Sequence, residues 1–176
     1  MTYPWAAGET LTAADLNSYA GLVFIKSQTI ASSVSSVTLS SVFSSSFENY
    51  KVVVAGISSS TDLTLQVAFG GSSGHFSALS WLRYDGASGT ILVNDGAAIP
   101  VCYIVPATGN CGAEFHVNRP NVSSYTEISG TGNGKGVSFF QGGTDFNVRS
   151  HTDLTLTTST GTMSGGTVRV YGYNNG

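Results

Sequence analysis

The sequence predicts an all-β protein, an antiparallel β-sandwich of jelly-roll type preceded by a short N-terminal helix or extended arm. Three observations lead there. From Leu22 onward, short stretches rich in Val, Thr, Phe and Tyr alternate between apolar and polar residues; Gly and Ser clusters break them at fairly regular intervals; and the one helical signal is confined to the first twenty residues. The chain has 176 residues, enough for one domain with a real core and a short appendage. Composition shifts at about Gly21, which divides the chain into an N-terminal segment, 1–20, and a β domain, 21–176.

In the first segment, Thr12 is placed to cap a helix, Asp15 three residues later completes a capping-box-like pair, and Ala13, Ala14 and Leu16 favour the helical state, so one or two turns are expected over about 13–19. In the second, strands are expected at 22–30, 35–40, 50–57, 62–69, 76–84, 89–94, 99–105, 112–118, 124–130, 136–141, 153–158 and 165–173. Alternation is clearest in DLTLQVAF, where Leu63, Leu65, Val67 and Phe69 share one face, and in TVRVYGY, where Val168 and Val170 oppose Arg169 and Tyr171. Val42, Phe43, Phe47 and Tyr50 are spaced for a loop or single turn lying across a sheet end. No solenoid or propeller repeat and no heptad run is found.

Charged residues make up only 10% of the chain, against roughly a quarter in average globular proteins, so the surface must be mostly hydroxyl and amide. A hydrophobic content of 41% nevertheless provides too much apolar material for a solvated coil. A net charge of −3 with 7 Lys plus Arg gives no field for a run of phosphates, which argues against a nucleic-acid partner. No apolar run approaches the roughly 20 residues that span a bilayer, and MTYPWAAGE lacks the basic and apolar regions of a signal peptide. Synthesis in a cytoplasm with no membrane partner is expected. Cys102 and Cys111 flank PATGN at a spacing that a hairpin could bridge, but a reducing cytoplasm disfavours the bond, and two free thiols are the preferred expectation.

Chemistry-bearing patterns are sparse. His75, His116 and His151 sit in separate segments without metal-ligand spacing, so neither a metal nor a cofactor is expected. Asp145 and Asp153 flank Arg149-Ser150-His151, but nothing in their spacing marks a glycosidase pair. G-x-S-x-G is absent, and GTGNGKG at 130–136 lacks the Ser or Thr of a phosphate loop and is expected to be a turn between strands. Asn121-Val122-Ser123 fits a glycosylation tripeptide that a chain without a secretory signal would not use. The aromatics remain as binding candidates, with Trp81, Tyr84, Tyr103 and Tyr125 leading, although aromatics that alternate with aliphatics usually serve a core or subunit interface.

The stretch Trp5-Ala6-Ala7-Gly8-Glu9-Thr10-Leu11-Thr12-Ala13-Ala14-Asp15-Leu16-Asn17 resembles the segment that opens many tailed-bacteriophage fibre, appendage and minor tail proteins. VFSSSFENYKVVVAGISSS at 42–60 and GGTVRVYGYNNG at 165–176 are similar to the β domains of such proteins, and FHVNRP at 115–120 is a weaker echo. The resemblance implies a non-enzymatic virion protein that docks onto other virion proteins through residues 1–20, with Trp5, Gly8, Glu9, Leu11, Thr12, Asp15, Leu16 and Asn17 as the anchoring set. It further implies a homotrimer exposed on the particle, whose β domain faces outward toward a host-surface glycan. Because the β domain follows almost directly after residue 20, a short spike or appendage fits better than a long fibre. Two other classes compete: a capsid or tail decoration or head-fibre protein with no ligand, marked by the lack of an exposed aromatic site, and a polysaccharide-degrading enzyme, which needs two carboxylates within about 5–10 Å in a groove.

Overall fold

The computed structural model describes residues 8, 10, 12, 21–31, 33–69, 73–104, 106, 111–134 and 136–174. The helix expected over 13–19 lies outside these residues. Among the described residues there are thirteen strands and no helix: β1 (Leu22–Thr29), β2 (Ser36–Leu39), β3 (Asn49–Ser59), β4 (Leu63–Ala68), β5 (His75–Arg83), β6 (Ser88–Gly96), β7 (Ile99–Ile104), β8 (Cys111–Asn118), β9 (Ser124–Gly134), β10 (Val137–Arg149), β11 (Leu154–Thr158), β12 (Met163–Ser164) and β13 (Thr167–Tyr173). Every pairing is antiparallel. One sheet runs β1-β13-β3-β8-β9-β10-β5-β6, with β12 also on β3, and the other runs β2-β11-β4-β7.

The two sheets share one core in a sandwich-like arrangement. The four-stranded sheet contributes Leu63, Leu65, Val67, Ile99, Val101, Leu154 and Leu156; the large sheet contributes Val52, Val54, Phe115, Val117, Ile128, Phe139, Val168 and Val170. As the alternation requires, Leu63, Leu65, Val67 and Phe69 all point inward, and Val168 and Val170 are buried while Arg169 and Tyr171 are half-buried on the other face. Each such side chain gains roughly 1.5–3 kcal/mol from burial, so a one-residue slip of β4 would forfeit several of these terms together, and the register is thereby pinned.

Three local features depart from the sequence expectations. GTGNGKG is strand as far as Gly134: Gly130, Gly132 and Gly134 fall on the inner face of β9 beside β8, so closely that a Cβ at Gly130 would lie 2.2 Å from the Glu114 carbonyl oxygen. β10 continues through Gly142 and Gly143 because Gly143 leaves a dent that receives Ile99 of the opposite sheet. Cys102 of β7 and Cys111 at the start of β8 form a disulfide, their Cα atoms 7.7 Å apart, which corrects the expectation of free thiols. Topology brings the two thiols together: the chain crosses from one sheet to the other between these strands and leaves both sulfurs in one buried spot.

Residues 42–48 form the expected loop over the sheet end. Val42 and Phe43 are buried, and Phe43 meets the Tyr50 ring edge-on at 4.8 Å.

Candidate functional site

The outer face of the nine-stranded sheet is a broad surface laid out by its register. One row crosses it as Phe24, Tyr171, Lys51, His116, Ser129, Gly142, Ala78 and Leu92, and the next carries Arg169, Val53, Glu114, Thr131, Phe140, Ser80 and Thr90. On the β1 side the face is polar and paired: Lys51 bridges Glu114 at 2.7 Å, and the Tyr173 hydroxyl and His116 Nδ1 are hydrogen-bonded at 3.0 Å. On the β6 side it is nearly uncharged and carries exposed apolar groups, among them Leu92, Leu82 and Phe140. A shallow groove of about 500 Å³ between the halves is lined by Val53, Ala113, Glu114, Thr131, Asn133 and Phe140 among others.

The four aromatic candidates do not converge. Trp81 faces inward opposite Phe139, packed against the core. Tyr103 of β7 also packs on the core; its hydroxyl donates to Asp62 at 3.2 Å, and burial, with the Asp62 charge, raises its pKa above the ordinary tyrosine value. Tyr84 is 84% exposed beside the β9–β10 turn, where its N–H donates to the Gly136 carbonyl. Tyr125 is 48% exposed at the opposite end of the same strands, roughly 33 Å away by strand rise. There Tyr125 joins two rings not anticipated from sequence: Phe146 lies 5.1 Å from it and 5.0 Å from Phe76. The signal for this trio was the outward parity of Phe76 on β5 and Phe146 on β10, which could be read only once β10 was known to pass through its two glycines.

A second grouping, beneath that trio, is buried. Asp145 of β10 and His75 of β5 are wholly buried, and His151, in the loop after β10, is nearly so. The Asp145 Oδ1 accepts the backbone N–H of Asn147 at 3.0 Å and its side-chain amide at 2.7 Å, while Oδ2 accepts Arg149 Nε and Nη2 at 3.3 and 3.2 Å. His151 Nε2 stands 3.1 Å from the same Oδ2, at ion-pair distance but poorly aligned for a hydrogen bond, and His75 Nε2 stands 3.9 Å from it. Burial pushes the Asp145 pKa up, but the Asn147 hydrogen bonds, the charge of His75 and the Arg149 hydrogen bond together hold it below the usual carboxylate range. Burial pushes His151 below its ordinary value, only partly opposed by the charge of Asp145.

This arrangement is a buried clasp around Asp145. His75 Nδ1–H donates to the Gly96 carbonyl at 2.9 Å, and the His151 ring has the Phe69 backbone as its other neighbour. Each imidazole therefore has a backbone group on one side, while its Nε2 faces Asp145 without forming a hydrogen bond. The Phe69 ring covers His151 at a centroid distance of 4.8 Å. Asp153 does not pair with Asp145: it accepts the Ser41 N–H at 2.8 Å on the rim of a polar recess of about 270 Å³. Among the described residues no group of three or more His, Cys, Asp or Glu is placed to hold a metal ion. The Asn121 amide is likewise committed, donating to the carbonyls of Phe43 and His151.

Of the anchoring set, Gly8 and Thr12 are described, both exposed; Trp5, Glu9, Leu11, Asp15, Leu16 and Asn17 lie outside the described residues. The fold and its surfaces thus define a protein of two antiparallel sheets with a broad, sparsely charged outer face. No protein-family model, no curated protein and no solved structure matches the chain.

Proposed function

We propose that the chain is a structural subunit of a bacteriophage particle, a tail fibre, spike or appendage protein without catalytic activity. It attaches through residues 1–20 and presents a jelly-roll domain outward, with host-surface glycans as the class of contact and a homotrimer as the form implied by the resemblance.

The observation that carries this is strand order. An eight-stranded jelly roll places its strands first-eighth-third-sixth in one sheet and second-seventh-fourth-fifth in the other. Taking β2, β3, β4, β5, β6, β7, β10 and β11 as those eight, the small sheet β2-β11-β4-β7 has the first order. The run β3-β10-β5-β6 has the second once the β8–β9 hairpin, inserted between β3 and β10, is set aside. Such domains recur in viral shells and lectins, and the opening segment resembles virion-attachment segments. Fold supplies an analogy for function, and the resemblance of the N-terminal segment is a second, separate support.

The scatter of Trp81, Tyr84, Tyr103 and Tyr125 favours one alternative, a decoration subunit with no ligand, over an aromatic-rimmed glycan site built from those four. The test is incorporation. Particles produced with the full chain should contain it after purification, and particles produced with a chain lacking residues 1–20 should not, although the shortened chain keeps its β-sheet circular dichroism. Absence of the full chain from purified particles would remove the proposal. A glycan array probed with the full chain then separates host recognition from decoration.

A further inference from the structure

The two sheets end in four edge strands, and three of them are guarded against pairing with another chain. β1 is broken by a bulge between Phe24 and Lys26, and Lys26 reaches across it to the Ser40 carbonyl at 2.8 Å. β2 is only four residues long. β7 carries Pro100, which has no N–H to give, and its pairing with β4 shifts at a bulge between Leu65 and Gln66. Charge, shortness, proline and bulges are the standard means of blunting a sheet edge.

β6 has none of these along its regular stretch. It is nine residues long, pairs with β5 on one side, and no described strand pairs with its other side. Its sequence, Ser-Gly-Thr-Ile-Leu-Val-Asn-Asp-Gly, contains one charged residue, Asp95, and that carboxylate is turned back into its own chain to accept the Gly74 N–H at 2.7 Å. Its one bulge lies at the far end, where Asn94 and Asp95, the latter at φ 59°, make three steps on β6 oppose the two from His75 to Ser77, and this leaves Ser88–Val93 in unbroken register. Leu92, midway along β6 and on the outer side of the sheet, is 75% exposed.

We infer that β6 is an assembly edge and that its occupant is β6 of a second copy of this chain, paired antiparallel across a twofold axis. Self-complementarity selects that occupant. With Leu92 on the axis, Leu92 meets the partner's Leu92 and Ile91 meets the partner's Val93, while Asn94 and Asp95 stand in the bulge beyond them. Apolar groups meet apolar groups, and no like charges are opposed. The uncharged half of each outer face then runs into its counterpart as one continuous surface. A twofold contact of this kind is independent of the threefold implied by the resemblance and holds whether or not the chain is a virion subunit. Alone it yields pairs; combined with a threefold it yields sixes.

The experiment is light scattering on the full chain across about 1 µM to 1 mM, the range in which a small interface assembles, with hydrogen exchange of the β6 amides on the same samples. Leu92→Lys and Thr90→Lys each place a guard on the edge. Leu82→Lys places the same charge on the same face but on β5, away from the edge. Two or six copies at the upper concentrations, slow exchange in β6, and a twofold drop in mass for either edge variant but not for Leu82→Lys are expected. A monomer or a trimer throughout, with β6 amides exchanging like a free edge, would overturn the inference. So would equal dissociation by Leu82→Lys, which would assign the contact to the broad face instead.

Discussion

Tyr50 and Ser44 hold each other by two hydrogen bonds: the Tyr50 hydroxyl donates to the Ser44 carbonyl at 2.7 Å and accepts the Ser44 N–H at 2.7 Å. The ring is fully buried, so this pair ties the 42–48 loop to the start of β3. Tyr50→Phe keeps the packing against Phe43 and Phe47 but leaves both backbone groups without this partner. A loss of about 1–3 kcal/mol is expected, read by urea unfolding, with the slope of the transition unchanged.

Acid should weaken the fold in two stages. His151 has a folded pKa below its ordinary 6.5, so the unfolded chain takes up a proton first as pH falls, and stability present above about 6.5 declines below it. Asp145 has a folded pKa below 3.8, so its contribution is complete above that value and lost further down. Denaturant midpoints measured from pH 8 to pH 3 should show both declines. His151→Phe should flatten the upper one, and an unchanged upper slope in that variant would show that another group carries it.

Asp145→Asn keeps the shape of the clasp but removes the charge that Arg149 and the two imidazoles face. A cost of about 3 kcal/mol at pH 7 is expected, because the partners stay in place with their acceptor weakened. Thermal unfolding of the variant beside the parent protein measures it.

The disulfide closes a loop of nine residue steps, for which the chain-entropy account gives about 2–3 kcal/mol. Protein unfolded without reductant should show no reactive thiol, and reduction should lower the denaturant midpoint by an amount of that size. Two reactive thiols in the unreduced protein would restore the expectation drawn from compartment.

Gly130→Ala drives a Cβ into the backbone of Glu114 and Phe115, neither of which can swing aside as a side-chain tip would. A loss of at least about 2 kcal/mol is expected. Thermal unfolding measures it, and Gly21→Ala, whose Cβ meets nothing within 4 Å, should leave the midpoint unmoved.

Much of the fold was legible because its signal is local. Each of the twelve expected strands has a counterpart, since period-two alternation and Gly or Ser breaks record which face of a strand is buried. β12 escaped because two residues, Met163 and Ser164, cannot display a period. The continuations of β9 and β10 escaped because glycine in sequence signals a turn equally well whether its missing Cβ serves φ or close approach; only the neighbours, Phe115 for Gly130 and Ile99 for Gly143, decide. The clasp was nearly silent. Asp145, Arg149 and His151 are close in sequence, but His75 arrives from another strand seventy residues earlier, and nothing local in His75 or Asp145 announces the meeting. That Trp81 and Tyr103 pack partly against the core was not legible from residue type, because it depends on their parity along the strand.

The two ends of the described β domain leave from one corner: Leu22 is paired with Tyr173, and the Asn174 N–H donates to the Gly21 carbonyl at 3.3 Å. Mechanically this separates two kinds of load. Pulling the two ends apart opens the β1–β13 ladder like a zipper, one pair at a time and at low force. Pulling on residue 21 along the strand, against a body held elsewhere, strains the whole ladder at once in shear. A tether through the N-terminal side alone is the geometry in which this corner resists most.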